Sequence, residues 1–234
     1  MKVIYRISDN SNKRDRTATK EECLRNFLRT WFGGRSHLDE MIILRDGCCR
    51  ETQNVVDRVA TPWIREGNNI YSVDIAAGSS EQSFRAAINV AIDKAIDDAS
   101  VYLIEDDYLH LPDSRKVLLE GLALADYVTL YDAPDKYGND REMWCRVMLT
   151  PSSHWKGVIS TTGTFASTVG VLKRDLDIWT YFTDGTHGTA WDHAAFSNLI
   201  GEKGHSLISP IPGLATHAER AWLAPRVDWE RVAR

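Results

Sequence analysis

From Val3 to Tyr131 the chain alternates between short apolar runs and longer segments whose apolar residues return every third or fourth position. Such runs predict strands and helices in turn, and their alternation predicts a mostly parallel sheet covered by helices. Val3 to Ile7 reads as the first strand, and the polar stretch Ser8 to Arg16 as a loop. Thr19 with Glu22 forms a capping-box pattern, after which Leu24, Phe27, Leu28 and Trp31 recur at helical spacing until Gly33-Gly34. Met41 to Leu44 is the second strand, closed by Arg45-Asp46-Gly47, and Ile70 to Ile75 the third. Ser79 and Gln82 frame another cap, and Phe84, Ala87, Ile88, Ala91, Ile92, Ala95 and Ile96 lay one apolar face down a helix. Val101 to Ile104 is the next strand, followed by a helix over Asp113 to Ala125 and a strand over Tyr127 to Tyr131.

Past Asp132 the pattern loses its regularity. Arg146 to Thr150, Gly157 to Ser160 and Val169 to Leu172 read as short strands, and Asp192 to Ile200 as a helix. Ser206 to Ser209 is a last strand before the turn Pro210-Ile211-Pro212-Gly213. With no internal repeat and no low-complexity linker, residues 1–234 are expected to form one α/β domain with an elaborated C-terminal half.

A length of 234 residues allows a real core, and 43% hydrophobic with 26% charged residues excludes disorder. The formal net charge of −5 gives no global attraction to polyanions, so nucleic-acid binding would need a local basic patch. No apolar run reaches the roughly 20 residues of a membrane span, and Met1-Lys2-Val3-Ile4-Tyr5-Arg6 has no signal-peptide pattern, so a cytoplasmic location is expected. Cys23, Cys48, Cys49 and Cys145 lack paired metal-type spacing and are expected to be reduced thiols.

The strongest chemical signal is Val101-Tyr102-Leu103-Ile104 running into Glu105-Asp106-Asp107. A buried strand of an α/β sheet opens its carboxyl end onto the crevice where ligands bind. Three carboxylates there repel one another unless something positive arrives. Hard oxygen ligands suit Mg²⁺ or Mn²⁺, which take one or two carboxylates and fill the remaining positions with water and phosphate oxygens. A solvated acidic turn ahead of a helix capped by Asp113 or Ser114 would carry the same residues.

With its surroundings the motif resembles a known family. The segment from Gly78 through Arg85 and Asn89 to Glu105-Asp106-Asp107 resembles the nucleotide-sugar-binding half of GT-A glycosyltransferases of the family-2 type. In that family a Gly-containing loop opens a helix with a polar pair, and a later buried strand ends in Asp-x-Asp. Here the first acidic position is Glu105, which keeps the charge and lengthens the arm. Ser160-Thr161-Thr162-Gly163-Thr164-Phe165-Ala166, Trp191-Asp192-His193 and the stretch from Ile208 to His217 are similar to segments of short bacterial and phage enzymes of this type.

The resemblance implies a GT-A, Rossmann-like sheet, with residues 1–131 binding a nucleoside-diphosphate sugar and 132–234 binding the acceptor. It also implies a divalent metal, Mn²⁺ or Mg²⁺, and sugar transfer with inversion to an acceptor hydroxyl. Arg6, Ile7 and Ser8, with Asp46, would hold the base and ribose, and Arg85, Asn89 and Asp106 would join the donor site. Glu105 would touch the ribose or a metal-bound water, while Asp107 and His217 would ligate the metal; a surface-loop histidine would look the same as His217. Asp192 would deprotonate the acceptor hydroxyl, although a helix N-cap explains an Asp there as well, and Asp184 before Gly185 is the reserve base.

A carbohydrate acceptor is expected, and Trp144 and His154-Trp155 are candidates for stacking on it. A phage-type enzyme that glycosylates hydroxymethylated DNA in the host cytoplasm is the first alternative. Lys13, Arg14, Arg16, Lys20, Arg25, Arg29 and Arg35 crowd one region, and Arg220, Arg226, Arg231 and Arg234 the other end. A sugar nucleotidyltransferase is the second, although Ser8-Asp9-Asn10-Ser11-Asn12 lacks its glycine-rich phosphate loop. A non-catalytic sugar-binding module would not need the acidic strand end.

Overall fold

The computed structural model describes residues 1–9, 15–33, 39–137, 145–187 and 191–234; Asn10-Ser11-Asn12, Lys13, Arg14, Gly34, Arg35 and Trp144 lie outside them. Strand β1 (Lys2–Ser8) lies between β2 (Glu40–Asp46) and β4 (Ser100–Glu105), with β3 (Asn69–Ile75) beyond β2, and all four are parallel. Past β4 the sheet continues through β9 (Phe165–Thr168), β6 (Tyr127–Val128), β10 (Leu207–Ile211), β8 (His154–Gly157) and β7 (Val147–Leu149). Only β9 and β8 run against the common direction, so the sheet is mostly parallel as the alternating pattern predicts.

A strand covered on both sides is apolar on both faces. In β1, Val3, Tyr5 and Ile7 join one hydrophobic layer with Leu24, Phe27 and Trp31 of α1 (Lys20–Phe32), while Ile4 joins the other with Phe84, Ala87 and Ile88 of α3 (Ser80–Ile92). β4 divides the same way, Tyr102 and Ile104 against Val101 and Leu103. The first layer is completed by α2 (Arg50–Arg65), α4 (Ser114–Leu122) and α8 (Trp229–Ala233). The second is completed by α5 (Val169–Arg174), α6 (Leu176–Phe182) and α7 (Trp191–Gly201). Both expected caps form: Thr19 and Glu22 make the reciprocal box at the start of α1, and the Ser79 side chain accepts from the Gln82 N–H.

Several local expectations are corrected. Helix α2 has no counterpart in the sequence reading: Cys49 makes no side-chain cap bond, and Pro62 stands inside the helix, so the usual end signals are missing. Helix α3 stops at Ile92 instead of running through Ala95 and Ile96, because Asp93 leaves the helical conformation and Lys94 adopts a φ of 52°, leaving Ile96 exposed. Val169 to Leu172 is helix, not strand, since the Thr168 hydroxyl accepts from the Val171 N–H at 3.3 Å and ends β9 there. The strand expected from Gly157 to Ser160 lies earlier, at His154–Gly157, where it pairs with Ile208 to Ile211. A two-stranded antiparallel sheet, β5 (Tyr108–His110) with β11 (Ala215–His217), was not legible in the pattern. No helix among the described residues is long and apolar enough to cross a membrane.

Candidate active site

Parallel register brings distant residues to one edge of the sheet. Ser8 pairs with Asp46 across β1 and β2, and Arg6 with Glu105 across β1 and β4, so three strand ends open into the same crevice. Directly after β4 the chain turns into β5, whose Tyr108 pairs with His217 of β11. That pairing, with the Ala218 N–H donating to the Asp107 carbonyl at 2.7 Å, carries His217 to the acidic triplet from more than a hundred residues away in sequence.

Each carboxylate of the triplet has its own cation, supplied by a different element. Arg6 of β1 donates to Glu105 at 2.8 Å, Lys20 of α1 lies 2.8 Å from Asp106, and Arg16 donates to Asp107 at 3.3 Å. Asp106 also accepts the Ser8 N–H at 3.0 Å. Arg16 is held over the site because its segment bonds along the stretch after β11, Thr17 N–H to the Ala218 carbonyl at 2.7 Å. The Arg6 guanidinium also donates to the Ser80 carbonyl and sits 5.2 Å over the Phe84 ring. A side chain at Gly163 would put its Cβ 3.1 Å from the Arg6 guanidinium and 3.2 Å from the Glu105 carboxylate, so the bare backbone there leaves room for the pair.

Burial shifts the acids upward. The Glu105 carboxyl is pushed up to about 7 by burial, with the charges of Asp107 and Asp192 adding and Arg6 opposing. Asp106 also rises through burial, against Lys20, and Asp192 rises through burial, against the His193 N–H.

Two cavities meet at His217. The first, 590 Å³, is lined by Arg6, Ile7, Ser8, Asp46, the Gly78 loop and the acidic triplet. The second, 520 Å³, is lined by Asp192, His193, Trp222 and the Ser160-Thr161-Thr162 segment. Asp192 belongs to the first turn of α7 and accepts the adjacent His193 N–H at 2.8 Å, which is not the reach of an N-cap residue.

Asp107 and His217 can share an ion. Asp107 Oδ2 and His217 Nε2 are 3.3 Å apart. Neighbouring ligands about 2.1 Å from an octahedral ion stand roughly 3 Å from each other, so the pair fits. The Glu219 N–H donates to His217 Nδ1 at 3.2 Å, which leaves the ring proton of a neutral imidazole on Nε2, facing Asp107; an ion held through Nε2 would displace that proton and give up the Glu219 bond. Among the described residues no three His, Cys, Asp or Glu side chains converge on one point, so further ligands would be substrate oxygens and water.

The remaining sequence candidates separate clearly. Arg6, Ile7, Ser8, Asp46, Glu105, Asp106, Asp107 and His217 line the first cavity, and Asp192 the second. Arg85 and Asn89 line neither, which departs from their expected place in the donor site: Arg85 donates to the Thr180 carbonyl and ties α3 to α6, and Asn89 is exposed. Glu105 is engaged by Arg6. Asp184 accepts from the N–H and hydroxyl of Thr186 in a local turn, outside both cavities. Trp155 is wholly buried, so it is core, not a stacking platform. Arg16 and Lys20, read from sequence only as part of the basic group offered to a DNA acceptor, are the site residues missed; three adjacent carboxylates were themselves the signal that such partners were needed.

No protein-family model matches the chain, and no curated protein does. Solved structures do resemble it. Mannosyltransferase PcManGT from Pyrobaculum calidifontis, in complex with GDP-Man and Mn²⁺, is 18% identical with a TM-score of 0.58, over 89% of this chain and 54% of that one. GalNAc-T7 with UDP, GalNAc and Mn²⁺ is 11% identical with a TM-score of 0.62, over 95% of this chain and 44% of that one. The galactosyltransferase LgtC, with donor and acceptor sugar analogs, gives a TM-score of 0.51 at 11% identity, over 88% and 73% of the two chains. A nucleoside-diphosphate-sugar pyrophosphorylase from Vibrio cholerae RC9 gives 0.51 at 13% identity, over 89% and 91%. The chain thus spans about half the length of the first two. Its fold is the GT-A fold.

Proposed function

We propose that this chain is a metal-dependent glycosyltransferase that moves a sugar from a nucleoside-diphosphate donor to a hydroxyl of a carbohydrate acceptor, with inversion. The observation that carries this reading is the junction of two cavities at His217, with the Asp107 carboxylate on one side and the Asp192 carboxylate on the other. Asp46, which accepts the Ala77 N–H at 2.8 Å, and the Ser8 end of β1 form the nucleoside side of the first cavity. Asp107 and His217 would hold the Mn²⁺ or Mg²⁺ ion, which supplies positive charge to the diphosphate as it leaves. Arg16 and Lys20 line the same cavity and add fixed positive charge beside that group. Across the junction, Asp192 takes the proton of the attacking hydroxyl, and its burial raises its proton affinity for that task.

The pyrophosphorylase with the same fold supports a second reading, a sugar nucleotidyltransferase. The two differ in product: transfer releases a nucleoside diphosphate, whereas nucleotidyl transfer consumes a nucleoside triphosphate and releases pyrophosphate. Of the cations that suggested a DNA acceptor, Arg16 and Lys20 face the acidic triplet, Arg25 pairs with Glu21, and Arg220 pairs with Asp15 and Glu230, while Arg29, Arg231 and Arg234 line a separate cavity away from the triplet. A thermal-shift panel of nucleotide sugars with and without Mn²⁺, followed by product analysis on the stabilising ligand, tests the proposal. Stabilisation that needs both components, with nucleoside diphosphate as product, is the expected result. No stabilisation by any nucleotide sugar, or pyrophosphate as the product, would reject it.

A further inference from the structure

A third cavity, of 490 Å³, shares no lining residue with the other two and opens between α1, the start of α4 and α8. Its charged lining is Arg29, Asp113, Arg115, Lys116, Arg231 and Arg234. Arg115 is spent on Asp39 at 2.6 Å, and the terminal Arg234 carries a carboxylate beside its guanidinium, so neither adds net charge. Asp113 is itself partnered; with its charge counted in full, Arg29, Lys116 and Arg231 still outnumber it, and none of these three makes an ion pair among the described residues. The N-terminus of α4 meets this cavity without a cap. The Val117 N–H donates to the Asp113 carbonyl at 3.0 Å, and the Ser114 hydroxyl is taken by the Leu111 and Leu214 carbonyls. Asp113 makes no side-chain cap bond, so the N–H groups of Arg115 and Lys116 have no acceptor among the described residues.

A further donor is left over in the lining. His110 is wholly buried, and burial pushes its pKa down to about 3, so the ring is neutral. Its Nε2 lies 2.8 Å from the Tyr102 hydroxyl, which has no other acceptor among the described residues. The hydroxyl therefore donates to Nε2, and the ring proton stays on Nδ1, buried without a partner. A buried donor in that state costs about 1–3 kcal/mol, which an oxygen acceptor would relieve. From these observations we infer a binding site for a phosphate dianion, free or carried on a monoester, at the N-terminus of α4. The Arg115 and Lys116 N–H groups and the positive end of the helix meet its oxygens, and Arg29, Lys116 and Arg231 balance its charge. Nothing in this site depends on the transferase reading, since the acidic triplet and Asp192 lie in other cavities.

Calorimetric titration of inorganic phosphate and of glycerol 1-phosphate into the full chain, without metal or nucleotide sugar, tests the site. At least one of the two should saturate. Replacing Lys116→Gln together with Arg231→Gln, both exposed, should weaken that binding about tenfold or more with the fold intact. Arg16→Gln, in the first cavity, should change it less than about twofold. On saturation the His110 Nδ1 resonance, followed by nitrogen NMR, should shift as the ring N–H gains an acceptor. Glycerol 1-phosphate binding as tightly as inorganic phosphate would identify a phosphate ester as the ligand, and inorganic phosphate binding alone would identify the free ion; either upholds the site. No saturation by either up to about 10 mM would overturn it. Binding lost in Arg16→Gln but kept in the double variant, an unmoved His110 resonance, or equal binding of a dinucleotide phosphodiester would overturn it as well.

Discussion

In the transfer reaction proposed above, replacing Asp192→Asn isolates the proton-transfer step from everything else the site would do. Among the described residues the carboxylate accepts the His193 N–H at 2.8 Å, and an amide oxygen accepts that bond equally well. Loss of the charge in the first turn of α7 costs roughly 0.3–1 kcal/mol of helix-dipole stabilisation. Relief of a buried charge offsets it, because burial already pushes this carboxyl upward. The two act in opposite directions, and with at most about 1 kcal/mol at stake the melting temperature should move by no more than about 4 °C in a chain of this size. Turnover should fall by about 10²- to 10⁴-fold, the share a positioned base supplies, while donor affinity holds, since Asp192 lines the second cavity and not the first. In the unaltered enzyme turnover should rise with pH as Asp192 ionises, along a limb displaced upward from the ordinary aspartate range, and the variant should lack that limb. Melting temperature, donor binding and a pH–rate profile on one variant therefore suffice. Turnover within a few fold of wild type would refute the assignment, and so would donor affinity falling in parallel with turnover.

Three further outcomes follow from named contacts. Asp107→Asn should nearly abolish transfer and remove the Mn²⁺ dependence of donor binding with the fold intact, and unchanged calorimetric titrations would take the triplet out of the mechanism. His217→Ala should weaken Mn²⁺ binding to the donor complex by about 10- to 100-fold, read from the Mn²⁺ titration curve, because the ring stands 3.3 Å from Asp107. Gly121→Ala tests the core: its Cβ would lie 2.6 Å from the buried Trp155 ring and 2.9 Å from Val128, so overpacking should cost about 1–3 kcal/mol in chemical denaturation, and an unchanged midpoint would contradict that contact.

The negative charge of the triplet and the cations around it explain why the site is legible only in part. Glu105-Asp106-Asp107 is contiguous, and the apolar strand before it is short and built of β-branched, aromatic or aliphatic residues, so both the element and its carboxylates stand out. Arg16 and Lys20 gave no such signal, because in sequence they belong to a polar loop and the opening of a helix that could as well face solvent. Arg85 and Asn89 misled for a related reason. The family resemblance alone assigned them to the donor site, but the face they occupy is set by how α3 packs on α6, and there Arg85 reaches the Thr180 carbonyl.

The sequence by itself determined β1, α1, β2, β3, α3 and β4, though not α2 or β5, together with the caps at Thr19 and Ser79 and the carboxylates at the end of β4, because each is encoded in residues that are neighbours along the chain. Tertiary structure decided the rest. Which cation faces which carboxylate, the arrival of His217 beside Asp107, and the meeting of two cavities at that ring all depend on strand register and on β5 pairing with β11 across more than a hundred residues. Propensity and periodicity carry information over a few turns of chain, whereas a site of opposite charges is assembled by packing, which sets distance in space without regard to distance in sequence.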